Sequence, residues 1–283
     1  MSGSRGTTLL SGPFSSAVNR FFSDFSVSRR NADVSLLGEI LKQYADFPYE
    51  NISKLIKSST HAGTDRLRMP DEVFEDHWAS HLGGTCFSLT FYLKKILEAA
   101  GFDAYVFLAD MRWGRHVHCG LVVRLAGKRY LVDPGYLFSE PMEIHPDRPR
   151  MFRNEFTGIH LAFHARSNRV DLYTFNAESS TWRYAFSDEP VSDAQFLDAW
   201  NRSFEWKTMT GICLNRIEGD TRVYIHNTFM REERFSAKKN SSIKDSVHRK
   251  VYERFGIEPR YVEQAIHIAD IRRAALSDAD RSE

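Results

Sequence analysis

Residues 82–101 have the sequence LGGTCFSLTFYLKKILEAAG, which joins a glycine pair and a cysteine to the most clearly helical stretch of the chain. Thr85 can cap the N-terminus of this predicted helix, and Lys94 and Lys95 lie in its second half. Gly101 suits the left-handed conformation in which helices commonly end. The stretch therefore predicts a helix that begins with Cys86 in its first turn.

Cys86 is the first candidate for chemistry because of this position. A thiol at the start of a helix is exposed to the helix dipole and to unpaired backbone N–H groups, which favour the thiolate and lower the pKa. The preceding Gly83 and Gly84 carry no side chains and are expected to let a substrate carbonyl approach the sulfur. The alternative is that Cys86 is only a small buried apolar residue, as free cysteines commonly are.

A predicted β-hairpin supplies partners for the thiol. Residues 116–125 and 129–133 are predicted strands joined by a tight turn at residues 126–128. If the turn holds two residues, Asp133 lies opposite Gly120 or Val122 and shares a face with His118, within reach of its imidazole. A three-residue loop would reverse this parity.

Parity alone does not separate His116 from His118, since both are predicted on the same face. His118 is nearer to Asp133 and deeper in the strand, so we favour it as the base, with Asp133 as its orienting partner. Each histidine could instead have a purely structural hydrogen-bonding role. Asp133 could likewise serve only the turn that Asp133-Pro134-Gly135 favours.

Around these motifs the chain is helical, then rich in strands, then helical again. Helical periodicity covers much of residues 16–57, a helix is predicted to start at Pro70, and residues 105–108 form a short apolar strand. Residues 141–224 are mostly strand, interrupted by a helix at 193–202. After Phe229 the chain is predicted to be charged and helical, through 243–255 and 261–276. This order predicts an α+β fold.

Composition excludes several classes of protein. The 283 residues carry 38 Lys and Arg against 37 Asp and Glu, so the net charge of +1 lacks the footprint of a nucleic-acid binder. Three cysteines, an odd and low number, favour reduced thiols and a cytoplasmic location. The N-terminus has no apolar core typical of a signal peptide, and no window approaches the run of about 18 apolar residues that a membrane helix needs.

A metal site is not expected. His116, His118 and Cys119 resemble ligands in composition, but adjacent residues of a strand point to opposite faces. Paired metal-ligand motifs and glycine-rich nucleotide loops are both missing from the sequence.

Several motifs together resemble the arylamine N-acetyltransferases. Residues 47–52, FPYENI, are similar to the family's Pro-Phe-Glu-Asn-Leu element, and residues 82–87, LGGTCF, to its Arg-Gly-Gly-x-Cys-Phe motif. Residues 118–123, HCGLVV, match the strand of the catalytic histidine, and residues 131–136, LVDPGY, match Leu-Val-Asp-Val-Gly-Phe. Residues 182–186 and 255–257 resemble further family positions. The likeness runs from about residue 36 to residue 257.

The resemblance implies both a fold and a reaction. It implies a helical bundle with the nucleophile (16–101), a β-barrel-like domain with His and Asp (102–202) and a C-terminal α/β lid (203–283), in a cysteine-protease-like triad arrangement. Residues 1–15 are rich in Gly and Ser, which predicts a mobile leader before the first of these domains. The resemblance also implies catalytic roles for Cys86, His118 and Asp133. Cys86 would take an acetyl group from acetyl-CoA and pass it to a small-molecule amine such as an arylamine or hydrazine, in a ping-pong reaction without metal.

Departures from the family pattern surround this triad without touching it. Leu82 replaces the family's Arg, Ser88 a Glu, Thr90 an Asn and Pro134 a Val, and residues 203–210 lack a Ser-Thr-x-Pro pattern. These changes leave three other functions open: an amide synthase-like relative using a carrier-bound acyl chain, a hydrolytic Cys-His-Asp enzyme, and a non-catalytic binding homologue. The residues that contact the CoA phosphates, the physiological amine and the oligomeric state do not follow from the sequence.

Overall fold

The structure is a computed structural model and describes residues 10, 12, 14–154, 156–176 and 178–282. Helices make up most of its N-terminal part, and Pro70 is the first residue of its helix, as predicted. These helices are α1 (Ser15–Asp24), α2 (Val34–Tyr44), α3 (Ile52–Thr60), α4 (Pro70–Ser80) and α5 (Cys86–Ala99).

Helix α5 is the centre of the helical layer, and nearly every residue of its first two turns is buried. Its end matches the prediction, since Gly101 has a φ of +85° and its N–H donates to the Glu98 carbonyl. Its start differs: Thr85 occupies the cap position, but its side chain makes no capping hydrogen bond. The backbone carbonyl of Thr85 instead accepts a hydrogen bond from the Ser88 hydroxyl at 3.2 Å.

An eight-stranded antiparallel, barrel-like sheet follows the helices. Its strand order is β5-β4-β3-β2-β9-β8-β7-β6. The strands are β2 (Asp103–Met111), β3 (Gly114–Leu125), β4 (Lys128–Val132), β5 (Met142–Glu143), β6 (Arg150–Arg153), β7 (Gly158–His164), β8 (Arg169–Phe175) and β9 (Ser180–Ser187). Strand β2 is longer than the four residues predicted, because pairing with β3 extends it into polar sequence.

The β3–β4 hairpin has a two-residue turn, the shorter of the two lengths that the sequence left open, and Lys128 belongs to β4. Leu125 pairs with Lys128, and the intervening Ala126 and Gly127 have φ values of 49° and 75°. Two successive positive φ values fit the right-handed twist of the flanking strands. Leu121 pairs with Val132, so continuing the register places Asp133 opposite Gly120, one of the two predicted alternatives.

A second sheet, of order β1-β10-β11-β12-β13, combines one short strand from the N-terminal part of the chain with four strands that follow the first sheet. The helical prediction directly after Phe229 is wrong, because residues 229–242 form a hairpin. Its strands carry charges on an exposed edge, so they lack the apolar alternation that marks a strand. The remaining elements are β1 (Tyr49–Glu50), α6 (Asp193–Arg202), β10 (Cys213–Glu218), β11 (Thr221–His226), β12 (Phe229–Arg234), β13 (Ala237–Ser242), α7 (Val247–Phe255) and α8 (Pro259–Ser282).

The α+β class and the central barrel-like sheet are as predicted, whereas the domain boundaries stay a prediction. Strand β1 comes from the predicted helical domain yet pairs with β10 of the predicted lid. Most of the predicted leader, residues 1–15, lies outside the described residues. Leu10 is nevertheless buried, and Phe14 packs edge-on against Phe91 at 5.5 Å.

The helices within the described ranges include none with the length and hydrophobicity needed to cross a lipid bilayer.

Candidate active site

The three predicted site residues meet where the start of α5 faces the open end of the β3–β4 hairpin. Cys86 is the first residue of α5, His118 lies in β3, and Asp133 directly follows β4. Their exposed fractions are 5%, 5% and 0%. A β-carbon placed on Gly135 would lie 2.9 Å from His118 Cε1 and 3.0 Å from Cys86 Cβ, so both side chains border this glycine. The structure therefore brings all three residues together.

Asp133 is held by three hydrogen bonds. Its Oδ2 lies 2.8 Å from His118 Nε2 and accepts from the Tyr184 hydroxyl at 2.6 Å. Its Oδ1 accepts from the backbone N–H of Tyr136 at 3.1 Å. Asp133 thus starts the predicted turn and also contacts the imidazole, so the two interpretations of this residue do not compete.

Two tyrosines complete the surroundings of the imidazole. The rings of Tyr184 and Tyr136 lie 4.9 Å and 5.3 Å from that of His118. The Asp133 carboxylate uses Nε2, so Nδ1 is the ring nitrogen that this contact leaves available. Sequence analysis assigned neither tyrosine a role, although each lies in a stretch that carried the family resemblance.

Electrostatics favour a charged Cys86–His118 pair. A hydrogen bond with Cys119, and then the hydrogen bond and charge of His118, lower the pKa of the Cys86 thiol well below its usual value although burial opposes this. Burial also disfavours the imidazolium, but the charge and hydrogen bond of Asp133 overcome it and raise the pKa of His118 to about 10. The arrangement can hold a thiolate beside an imidazolium near neutral pH.

The position of Cys119 differs from the prediction, which placed its thiol away from the site. It was expected to face away from the site because it neighbours His118 on the strand, and its side chain does point into the core beneath α5. The start of α5 lies on that same side, so the Cys119 thiol reaches Cys86. Burial raises the pKa of Cys119 well above its usual value, and it therefore remains a protonated donor to the Cys86 sulfur.

Lys54 is a buried cation near the site that sequence analysis did not find. Its Nζ donates to the carbonyl and hydroxyl oxygens of Ser203 at 2.9 Å and 2.6 Å and lies 4.4 Å from the centre of the Phe204 ring. Burial lowers the pKa of Lys54 to about 7, and its positive charge contributes to the lowered pKa of Cys86. Lys54 is brought near Cys86 only by contacts with residues far away in the sequence. A local sequence pattern therefore could not have indicated its position.

The glycines before Cys86 serve packing, a role in addition to the predicted clearance for substrate, which stays a prediction. A β-carbon on Gly83 would overlap the carbonyl oxygen of Pro48, and one on Gly84 would overlap the Ser88 hydroxyl. The Gly84 N–H donates to the Pro48 carbonyl, and Glu50 N–H to the Gly84 carbonyl. Residues 48–50 therefore fix the backbone that leads into α5.

Arg68 supplies a guanidinium to this turn even though Leu82 replaces the family's arginine. Arg68 donates to the Gly83 carbonyl, to Ser53 Oγ at 2.7 Å and to Asp76 at 2.6 Å. The buried Glu50 carboxylate accepts from the Gly83 N–H at 3.1 Å. The turn that positions Cys86 is thus hydrogen-bonded from both sides.

We expect Gly83→Ala to lower the free energy of unfolding by about 2–3 kcal/mol, because the methyl group would force the backbone away from Pro48. Urea unfolding followed by circular dichroism measures this. Gly38→Ala in α2 is the matched control: its added methyl would meet only Pro141 at 4.0 Å, and alanine in a helix is expected to stabilise by about 0.5–1 kcal/mol. Equal midpoints for the two variants would contradict the packing role.

His116 does not share the face of His118, contrary to the parity argument. A register shift between Ala109 and Met111 interrupts the β2–β3 pairing, and His116 has a φ of +56°. A bulge of this kind breaks the alternation of side chains along a strand. His116 lines a separate cavity with Asp110 and Gln195.

At about pH 6 we expect iodoacetamide to modify Cys86 well before the other two thiols, since a free thiol ionises only near about pH 8.5. Burial raises the pKa of Cys213 to about 11, and it also raises the pKa of Cys119 well above its usual value. The lowered pKa of Cys86 and the raised pKa of His118 keep the reactive thiolate–imidazolium pair across the intervening pH range. Peptide mapping gives the order of modification.

His118→Ala should remove much of this advantage, whereas His116→Ala should leave it unchanged. Equal modification of all three thiols in the folded wild-type protein would show that Cys86 is not activated.

No group of three or more His, Cys, Asp and Glu side chains that could hold a metal ion occurs among the described residues.

Comparison with known proteins gives a consistent result. Residues 33–262 match the sequence profile of a family described as N-acetyltransferase. No curated protein has a sequence that matches the chain. Two similar solved structures are arylamine N-acetyltransferases from Mycobacterium abscessus (18% identity, TM-score 0.75, covering 89% of this chain and 94% of that one) and Salmonella typhimurium (13%, 0.73, 89% and 98%).

A third similar structure is an arylamine N-acetyltransferase from Bacillus cereus (15% identity, TM-score 0.64, covering 86% of this chain and 98% of that one). It is described as having a Cys-His-Glu catalytic triad. At these identities the likeness of the structures shows a shared fold.

Proposed function

The chain belongs to the arylamine N-acetyltransferase family and is an enzyme of that acyl-transferring class, and from this we propose that Cys86, His118 and Asp133 carry an acetyl group from acetyl-CoA to an arylamine or hydrazine. The observation that carries the proposal is the buried contact of a helix-start thiol with an imidazole held by a carboxylate. A nucleophile, a base and an orienting group within reach of one another are what covalent acyl transfer needs.

In the first half-reaction the Cys86 thiolate attacks the carbonyl carbon of acetyl-CoA. The new carbon–sulfur bond forms as the bond to the CoA sulfur breaks, and the His118 imidazolium gives its proton to the departing thiolate. Free CoA leaves, with an acetyl thioester on Cys86 and a neutral imidazole beside it. Asp133 keeps the proton of that imidazole on Nε2, so Nδ1 is available as a base.

In the second half-reaction the amine nitrogen attacks the thioester carbonyl. Nδ1 of His118 accepts the proton that the amine loses, and the Cys86 sulfur departs as a thiolate. The products are the acetylated amine and the original thiolate–imidazolium pair. Because the charged pair is the stable form of this site, Cys86 is a good leaving group here as well as a good nucleophile.

Mass spectrometry of the intact protein after incubation with acetyl-CoA tests the proposal. We expect a mass increase of one acetyl group, located on Cys86 by peptide mapping and removed when an aryl amine is added. Cys213→Ser is the matched control and should load as the wild type does. If the protein loaded only from a carrier-bound acyl thioester, the amide synthase-like alternative would hold instead, and no loading from either donor would favour a non-catalytic homologue.

A further inference from the structure

A cavity of about 830 Å³ lies between the two sheets. One wall comes from β8 and β9 and includes Thr174 and Arg183, and the other comes from β11 and β12 and includes Arg222 and Tyr224. The opposite face of the second sheet packs Val223 and other apolar residues against the C-terminal helices. The polar face of the second sheet therefore lines the cavity. The volume of the cavity is typical of a small-molecule site.

The cavity is lined by more cations than carboxylates. Its carboxylates are those of Glu178 and Glu233, and Glu233 lies 3.5 Å from Arg222. The lining cations are Arg183, Arg222, Arg231, Arg234 and Lys238. An excess of positive charge in a confined space attracts anions.

Arg183 is one of three lining cations, with Arg231 and Lys238, that form no ion pair among the described residues. The described residues include no carboxylate within ion-pairing distance of its guanidinium. Its Nε donates to Thr174 Oγ1 at 2.6 Å, which fixes the side chain and leaves its two terminal nitrogens for a ligand. A guanidinium held in this way presents a fork that matches a carboxylate or phosphate.

The catalytic residues do not line the cavity, but strand β9 connects it to them. The ring of Tyr136 lies 5.3 Å from that of His118. Arg183 directly precedes Tyr184 in β9, and the Tyr184 ring lies 5.3 Å from that of Tyr136 while its hydroxyl donates to Asp133. Arg183 therefore lies one residue along β9 from a side chain that contacts Asp133.

We propose that Arg183, supported by Arg222, binds an anionic group of one of the two substrates while the reacting part of that substrate lies at Cys86. The inference rests on the proposed function, because it needs the reaction to take place at Cys86. The anion is either a carboxylate on the amine or a phosphate of the acyl donor. Both present oxygens that a guanidinium binds through paired hydrogen bonds.

The test compares Arg183→Gln with the wild type over four pairs of substrates. The acyl donor is acetyl-CoA or the uncharged p-nitrophenyl acetate, and the acceptor is 4-aminobenzoate or the uncharged aniline. The measured quantity is kcat/KM for the substrate that is varied, the donor or the acceptor, in each pair. It is expressed relative to the value for the corresponding substrate of the fully uncharged pair. Arg166→Gln, an exposed arginine between β7 and β8, is the matched control and should leave these ratios unchanged.

We expect the ratio for an anionic substrate to fall about tenfold or more in Arg183→Gln, since a charge-assisted hydrogen bond is lost. A fall only with acetyl-CoA identifies the donor phosphate, and a fall only with 4-aminobenzoate identifies the acceptor carboxylate. Arg183→Lys should keep part of the relative kcat/KM for the anionic substrate that Arg183→Gln loses. Unchanged ratios, or an equal loss over all four pairs, would overturn the inference, whereas failure of the wild-type protein with every pair would overturn the proposed function itself.

Discussion

Cys86→Ser is expected to lower the rate of acyl transfer by about 10⁴-fold or more while the protein stays folded. A serine hydroxyl is close to a thiol in size, so the packing at the start of α5 is kept. Its pKa is far higher, however, and neither the helix start nor His118 can make it an alkoxide near neutral pH. The measurement is the steady-state rate with acetyl-CoA and a panel of aryl amines and hydrazines.

Two controls separate lost chemistry from lost structure. The urea midpoint of Cys86→Ser should lie close to that of the wild type, and Cys119→Ser should keep most of the activity because it retains a buried donor to the Cys86 sulfur. Wild-type turnover by Cys86→Ser would show that another group is the nucleophile. Equal losses in Cys86→Ser and Cys119→Ser would mean that either substitution disturbs the packing beneath α5.

The triad could be located from the sequence because short-range rules fix it. The helix start follows from residues 83–101, and the hairpin needs only the turn at Ala126 and Gly127, whose two-residue length sets the face of Asp133. Once the register is known, the alternation of side chains places His118 within reach of the carboxylate. Each step concerns residues close together in the chain.

What the sequence did not show depends on contacts between distant segments. Lys54 lies near Cys86 only because α3 packs beside Ser203 and Phe204. Cys119 reaches Cys86 because α5 crosses the sheet on the side of odd-numbered β3 residues. The bulge that turns His116 away interrupts the β2–β3 pairing, and the alternation of residues along β3 did not predict it. The same applies to Gly83, whose lack of a side chain is needed by Pro48.

The glycine pair has a structural role that the motif alone did not indicate. A glycine next to a nucleophile suggests room for the substrate, and that was the expectation for Gly83 and Gly84. In the structure their hydrogens face Pro48 and Ser88, and the hydrogen bonds of Glu50 and Arg68 hold the turn. The pair therefore determines where Cys86 lies, and the FPYENI stretch is part of the same arrangement because it supplies Pro48 and Glu50.

Asp133→Asn is expected to reduce the rate by about 10⁴-fold, a loss like that seen when the acid of a serine-enzyme triad becomes an amide. The carboxylate accepts from His118 Nε2 and from the Tyr184 hydroxyl at the same oxygen. An amide that turns its NH₂ toward His118 would put the imidazole proton on Nδ1, where no base remains for the amine. It would also remove the charge that raises the pKa of His118 to about 10.

Comparing Tyr184→Phe with Asp133→Asn distinguishes an orienting role of the Asp133 carboxylate from a role in packing alone. Tyr184→Phe removes one hydrogen bond to the carboxylate and leaves the charge and the His118 contact, so we expect a loss of only about tenfold. The pH dependence of thiol modification distinguishes the two variants further. In Asp133→Asn the imidazolium loses its counter-charge, so the pH range over which Cys86 reacts should shift toward that of an ordinary thiol, whereas Tyr184→Phe should keep a range close to that of the wild type. A smaller loss for Asp133→Asn than for Tyr184→Phe would show that the carboxylate does not act through His118.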